Sequence, residues 1–175
     1  MSDITVVATV TMNTPPATGF TWAYSVAGTG YAIPEQGVLQ IPSGTSPNIM
    51  LNVVAGGQPN DICVFQNPAP GQEPQENPPL TFESGSAPLW FQGLQFLDAS
   101  TILFTDDNTN STTTSYDAFI NVAYSTTTIL DGVTTTTTVL TTSPDPTIMN
   151  VGTDGGVVIG PALVSRAQPQ PAGRA

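Results

Sequence analysis

Asp145 and Pro146 form the peptide bond of this sequence with the most distinctive chemistry. An aspartyl carboxylate can attack its own main-chain carbonyl carbon and close a five-membered anhydride, and the proline nitrogen is a good leaving group once it is protonated. Because both reacting groups belong to one residue, good orientation can lower the barrier by about 7 to 11 kcal/mol. The pair therefore indicates a bond that a suitable fold could cut by itself.

The same dipeptide has an ordinary interpretation as a turn. The chain contains 17 prolines, so that about one Asp-Pro pair is expected by chance, and the residue before a proline favours extended backbone. Glu73 and Pro74 form a second acid-proline pair inside a polar stretch rich in Pro, Gln and Glu, which we expect to be an exposed loop over residues 66–79. The dipeptide alone leaves both interpretations open.

Self-cleavage at neutral pH needs a second carboxyl group close to the bond, either to protonate the leaving nitrogen or to activate water. The candidates are Asp117, which we expect on a strand beside the segment leading to Asp145, and the adjacent pair Asp106 and Asp107. Residues 106–110 form an acidic loop with an alternative interpretation as a calcium ligand set, but they lack the spaced Asp-x-Asp-x-Asp and closing Glu of such loops. We therefore predict no metal and no cofactor.

Composition excludes several other kinds of chemistry. The 175 residues suit one domain, and 13 acidic against two basic residues give a net charge of −11, which disfavours nucleic acid and anionic membranes as partners. The chain has no histidine and one cysteine, Cys63, so Ser-His-Asp catalysis and zinc sites built on His and Cys are excluded. We expect Cys63 to be a small buried side chain on a strand.

Alternation of apolar and polar residues, bounded by Gly, Pro, Asn and Asp, predicts an all-β fold, a single two-sheet antiparallel β-sandwich over residues 1–164. We expect residues 165–175 to be a disordered tail. The predicted strands cover residues 4–12, 20–26, 38–41, 49–54, 62–65, 80–82, 89–97, 101–105, 147–151 and 157–164. The first two should form a hairpin.

The clearest supersecondary signal lies in residues 116–142, where a strand with the inward face Ala118, Ile120 and Val122 runs to the turn Asp131-Gly132 and returns. The return strand is almost pure threonine, which suits a half-exposed pleated surface. An ice-binding face is the alternative, but regular Thr-x-Thr ranks on several strands are missing.

Two parts of the chain carry a resemblance to a known family. They are residues 7–25, Val-Ala-Thr-Val-Thr-Met-Asn-Thr-Pro-Pro through Gly-Phe-Thr-Trp-Ala-Tyr-Ser, and residues 143–150, Ser-Pro-Asp-Pro-Thr-Ile-Met-Asn. Together they resemble the small bacterial DP-EP family. The resemblance implies a self-assembling β-sandwich that cuts itself after the acidic residue, here between Asp145 and Pro146, and keeps the released segment as a strand.

The sequence departs from that family at one chemical group. The family's cut aspartate condenses with a lysine on a neighbouring strand to form an amide cross-link, and this chain has no lysine. Water, or a Ser or Thr hydroxyl, would have to resolve the anhydride. The alternative function is a non-catalytic structural or assembly module of the same fold, with the bond intact.

Two further expectations concern binding and location. A third alternative is a carbohydrate- or surface-binding sandwich with Trp22, Trp90 and Phe91 as platforms, although core packing explains these aromatic residues more simply. Assembly of copies through the edges of the sheets stays open. The amino terminus carries Asp3 where a secretory signal would have Lys or Arg, so we expect a cytoplasmic protein, which lysis could also release.

Overall fold

A computed structural model describes residues 4–13, 19–27, 38–66, 78–83, 85, 87–89, 91–108, 114–144 and 147–150. All regular elements in these ranges are β-strands. They are β1 (Ile4–Met12), β2 (Phe20–Ala27), β3 (Val38–Ile41), β4 (Asn48–Ala55), β5 (Ile62–Phe65), β6 (Leu80–Phe82), β7 (Phe91–Phe96), β8 (Thr101–Asp106), β9 (Thr114–Leu130), β10 (Val133–Thr142) and β11 (Thr147–Asn150). The part of the chain described contains no helix that could cross a membrane.

The strands form two packed sheets, which confirms the predicted β-sandwich. The first sheet has the order β2-β1-β4-β8-β7. The second is built around the long strand β9, with β10 and then β11 on one edge and β5 and β6 on the other, and β3 follows β11. Most neighbours are antiparallel, as expected, but β1 pairs with β4 and β11 with β3 in parallel.

Alternating apolar side chains from both sheets form the core between them. Strand β1 contributes Ile4, Val6, Ala8 and Val10, and β9 contributes Ala118, Ile120, Val122 and Tyr124. Both inward faces agree with the period-two pattern of the sequence. Cys63 is also buried in this core on β5, as predicted.

Several element boundaries differ from the predicted ones by one or two residues, and the differences at β7 and β8 bear on the candidate residues. Strand β7 begins at Phe91, not at residue 89, because Leu89 lies in a turn and is 91% exposed. Strand β8 continues through Asp106, which the sequence pattern assigned to a loop. The opening hairpin of β1 and β2 is confirmed, with Met12 opposite Phe20 at its closed end.

The β9–β10 hairpin forms as predicted. Its turn residues Asp131 and Gly132 have φ values of 51° and 78°, the left-handed backbone that an Asp-Gly pair adopts in a type I′ turn. The threonine-rich strand, however, is exposed on both faces over residues 133–140 instead of being half-buried, because this end of the hairpin extends past the sandwich. Most of the predicted loop over 66–79, the predicted strand at 157–164 and the predicted tail lie outside the described residues.

Candidate functional site

The Asp145–Pro146 bond belongs to the link between β10 and β11. Asp145 and Pro146 themselves lie outside the described residues. Both flanks of the link are described, and both attach to the same strand: Thr142 of β10 pairs with Asn121, and Thr147 of β11 pairs with Asp117. The geometry of the candidate site is therefore set by how β9 holds these two flanks.

The pairing register changes by one residue across the link. Ser143 bonds to Ile120 and Thr147 pairs with Asp117, so that four steps along the link (143 to 147) stand against three steps along β9 (120 to 117). One extra residue opposite a continuous strand is the defining feature of a β-bulge, and bulges commonly occur beside active sites, where they redirect a side chain. In the sequence, the predicted reactive bond lies between these two flanks.

Ser143 fixes the first flank through two hydrogen bonds to one residue. Its N–H donates to the Ile120 carbonyl oxygen (2.9 Å), and its Oγ accepts the Ile120 N–H (2.8 Å). In a regular antiparallel pair the second bond would go to the Ser143 main-chain carbonyl. The buried hydroxyl takes that place, and the backbone leaves the strand path at this residue.

Asn121 braces the same flank from the other face of β9. Its Oδ1 accepts the Thr142 hydroxyl proton (2.8 Å), and its Nδ2 donates to the Pro78 carbonyl oxygen (3.0 Å). Asn121 is itself buried. The end of β10 is thus held by side chains on both faces of the strand.

The strand after the bond is an interior strand. On one side β11 pairs antiparallel with residues 114–117 of β9, and on the other it pairs in parallel with β3. Ile148 lies buried in the core. A strand paired on two sides and packed through an apolar side chain is held without help from the peptide bond that precedes it.

Among the three predicted carboxyl partners, Asp117 lies nearest to the second flank. It is the register partner of Thr147, two residues after Asp145, and it is half-buried on the face of β9 opposite Ala118 and Ile120. Its main-chain carbonyl accepts the N–H of Glu83 (3.4 Å). The expected face of Asp117, opposite Ala118 and Ile120, is confirmed, but its register partner belongs to the segment after Asp145 and not to the segment that leads to it.

Asp106 corrects the expectation of an acidic loop. It ends β8 on the inward face shared with Ile102 and Phe104, and it is 0% exposed. It pairs with Phe91 of β7, and the ring centroids of Phe91 and Phe104 are 4.6 Å apart. Asp106 thus belongs to the other sheet, and no described strand pairing joins it to the link.

Asp107 is engaged in a local contact. Its Oδ1 accepts the hydroxyl proton of Ser46, next to the bridge between Thr45 and Asn108. Asn108 is fully buried and donates from Nδ2 to the Ile41 carbonyl oxygen (2.7 Å). The bond from Asn108 to Ile41 ties the end of β8 to the end of β3. Asp107 follows β8 and is held by Ser46, whereas Asp117 lies on β9.

Tyr124 and Asp61 make a polar contact at the edge of the core. The Tyr124 hydroxyl donates to Asp61 Oδ2 (2.8 Å), which also accepts the Gln58 N–H (2.8 Å). Burial, together with this hydrogen bond to a carboxylate, raises the pKa of Tyr124 to about 12. Gly57 lies so close that an added Cβ would be 2.6 Å from the Tyr124 oxygen, so the contact depends on a glycine there.

Cys63 and the candidate aromatic platforms that the structure describes contribute to packing. Burial raises the pKa of the Cys63 thiol to about 12, which keeps it protonated and unreactive at neutral pH. Trp22 and Phe91, two of the candidate binding platforms, pack against the core, while Trp90 lies outside the described residues. The ring of Phe82 meets that of Phe91 edge-on at 5.0 Å.

Comparisons with other proteins identify no family. No protein-family model matches the sequence, and no curated protein matches it. Within the described ranges, no three His, Cys, Asp or Glu side chains are grouped so that they could hold a metal ion. The chemistry of the site must therefore be argued from its own residues.

Proposed function

We propose that this protein is a self-processing β-sandwich that cuts its own Asp145–Pro146 bond and retains the carboxyl-terminal segment as strand β11. The reaction is hydrolysis in cis. The carboxylate of Asp145 attacks its own main-chain carbonyl carbon, the C–N bond to Pro146 breaks, and the proline nitrogen takes a proton from a nearby acid. Water then opens the anhydride, so the products together weigh one water more than the intact chain.

The observation that carries this proposal is the one-residue register shift between the two flanks of the link. Ser143 and Thr147 are both held to β9, which limits the conformations open to the short stretch between them. Restricting an intramolecular attack in this way is the main source of its rate, because good orientation lowers the barrier by several kcal/mol. A bond in an unanchored loop would lack that advantage.

Asp117 is the residue we assign to proton transfer. It is the register partner of the first residue of β11, and it belongs to the strand that holds both flanks. Asp106 and Asp107 lie at the end of β8, and the described interactions connect them to β7 and to the segment before β4. These contacts support structural roles for Asp106 and Asp107. The position of Asp117 opposite Thr147 favours a role at the link.

Retention of the cut segment follows from the two-sided pairing of β11. A cut between Asp145 and Pro146 leaves the pairing of β11 with β9 and β3 in place. The side chain of Ile148 also stays buried in the core. Because the chain has no lysine, the products stay together by pairing and packing without an amide cross-link. The cut protein should therefore migrate as one particle and separate only on unfolding.

Intact mass under denaturing conditions tests the proposal. The purified full chain, incubated at neutral pH, should give two species whose masses sum to the chain plus one water, with Pro146 as the first residue of the smaller one. Asp145→Ala should give a single species. Glu73→Gln, which changes the other acid-proline pair, should cut as the wild type does; a single full-length species from the wild type would overturn the proposal.

The second candidate is a non-catalytic assembly module with the bond intact. The absence of lysine favours it, since the cross-link that would make a cut permanent cannot form. The same mass measurement separates the two candidates, because this module would stay one species at the mass of the chain.

A further inference from the structure

Most of one two-stranded ribbon lies outside the sandwich. The ribbon consists of residues 125–130 of β9 and 133–140 of β10, joined by the Asp131-Gly132 turn. Strand β5 covers the other edge of β9 only as far as Ser125. An isolated two-stranded hairpin is marginally stable in water, so a ribbon of this length gains from further pairing.

The ribbon exposes large apolar side chains at unusually high fractions. Ile129, Leu130, Val133 and Leu140 are 64% to 74% exposed, and Val139 is 37% exposed. Between them lie threonines whose hydroxyls pair across the strands, as Thr127 does with Thr136 (3.2 Å). A surface made of apolar side chains and uncharged hydroxyl groups is one that another protein chain can cover.

The outer edge of β10 lacks the features that normally prevent strands from pairing. No described strand pairs with it, and its ten residues include no proline and no charged residue, with a continuous register along β9. Two other sheet edges are less suited to pairing: β7 has a register irregularity between Gln92 and Gln95, and β3 is only four residues long. Strand β2 is a further regular edge, but it is shorter than β10. An unprotected, regular edge favours addition of another strand.

The hydrogen-bonding groups on this edge can be assigned from the turn. In a two-residue type I′ hairpin the closing pair, Leu130 and Val133, is hydrogen-bonded, and the pairs alternate from there. Within the part of β10 that belongs to the ribbon, residues 133–140, every second residue therefore directs its N–H and C=O outward. These residues are Thr134, Thr136, Thr138 and Leu140.

We propose that this edge pairs with the same edge of a second copy, antiparallel and two-fold symmetric, with Thr137 at the centre. This inference is independent of self-cleavage. Centring on Thr137 gives all four outward-facing residues of the ribbon a partner, with Thr134 opposite Leu140 and Thr136 opposite Thr138. The two chains then form a continuous sheet across the interface, which is an isologous contact.

Charge favours this ribbon as the place where two copies can meet, and it selects the direction of their pairing. Copies of net charge −11 repel one another, and between residues 125 and 144 the only charged residue is Asp131 at the turn. Antiparallel pairing about Thr137 places the two Asp131 residues twelve positions apart, roughly 40 Å at the strand rise, far beyond the screening length. Parallel pairing would bring them side by side.

Sedimentation of the full chain over a range of concentrations tests the interface. We expect a reversible dimer at physiological salt. Thr136→Pro removes one outward-facing N–H without breaking the β9 ladder, and it should raise the dimer dissociation constant about tenfold or more. Thr136→Val retains the backbone donor and should leave the constant unchanged.

A cross-linking variant covers the case in which the proline disturbs the ribbon. Thr137→Cys should form a disulfide between chains, because a central non-hydrogen-bonded pair places the two Cα atoms about 4.5 Å apart. Thr134→Cys, opposite Leu140, should not, and the buried Cys63 does not compete. A monomer at all concentrations would overturn the proposal, as would a dimer that forms no disulfide at residue 137. A monomer whose ribbon amides resist hydrogen exchange would also overturn it, since the chain itself would then cover the edge.

Discussion

Ser143 and Ile120 are joined by two hydrogen bonds, and one of them uses a side-chain hydroxyl where a regular strand would use a carbonyl. This contact ends the β10 ladder and starts the register shift. It fixes the chain two residues before Asp145. The stability of the fold and the reactivity of the link should therefore both depend on a single hydroxyl group.

Removing that hydroxyl should destabilise the fold. Ser143→Ala leaves the buried Ile120 N–H without its acceptor, so we expect the free energy of unfolding to fall by about 1 to 3 kcal/mol in urea titrations. Cleavage should also slow under conditions in which the variant is fully folded. Ser143→Thr retains the hydroxyl and should lose less of both. An alanine variant as stable and as reactive as the wild type would show that the hydrogen bond from the Ile120 N–H to the Ser143 hydroxyl is unimportant.

Shortening Ile148 should weaken retention of the cut segment. Ile148→Ala removes a buried side chain of β11 and should cost about 2 to 4 kcal/mol of stability. After cleavage, size-exclusion chromatography should then show part of the smaller fragment separating from the larger one. Leu89→Ala, at a position that is 91% exposed, should change stability by less than about 0.5 kcal/mol and should retain the fragment.

Neutralising Asp117 tests the assignment of the proton-transferring group. Asp117→Asn should slow cleavage by about 100-fold or more, the usual contribution of a general acid or base, with little change in stability. Asp107→Asn, which alters a carboxylate bonded to Ser46, should cut at the wild-type rate. Slow cleavage in Asp106→Asn together with normal cleavage in Asp117→Asn would transfer the role to the buried residue.

Alkaline pH should destabilise the protein through Tyr124. Its pKa is 10.0 when exposed and about 12 in the fold, so the folded state favours the protonated phenol. The resulting stabilisation is complete below pH 10 and is lost as pH rises towards about 12. Unfolding in urea at pH 9, 10 and 11 should show this loss in the wild type.

The matched control for Tyr124 is Tyr124→Phe. It removes the titrating group and the hydrogen bond to Asp61, so it should be less stable at neutral pH and should show a smaller decline above pH 10. The decline that remains should come in part from Cys63, whose burial also raises its pKa to about 12. Equal declines in both proteins would contradict a coupling through the phenol.

The sequence predicted the elements whose signals are local. The β9–β10 hairpin follows from Asp131-Gly132 between alternating residues, and the inward faces of β1 and β9 follow from period two. The parallel pairs β1–β4 and β11–β3 could not be predicted, because alternation determines which face is buried and not which strands become neighbours. The exposure of β10 on both faces is likewise a consequence of where the sandwich ends.

The candidate site was predictable only in part. Asp117 was placed on the outer face of its strand by alternation with Ala118, and the structure confirms this. The burial of Asp106 was missed because Thr-Asp-Asp-Asn-Thr has the composition of a turn. Ser143 was missed for a related reason: a serine before a proline is typical of turns, and its clamp on Ile120 depends on a contact between residues distant in sequence.

The most direct test of self-cleavage compares the folded and the unfolded chain. Freshly purified protein is divided, one part kept in buffer and the other in denaturing guanidinium at the same pH and temperature, and the intact mass of each is followed with time. We expect cleavage between residues 145 and 146 in the folded sample and an intact chain in guanidinium, because the register shift on β9 exists only in the fold. Equal cleavage in both samples, or none in the folded one, would contradict the account.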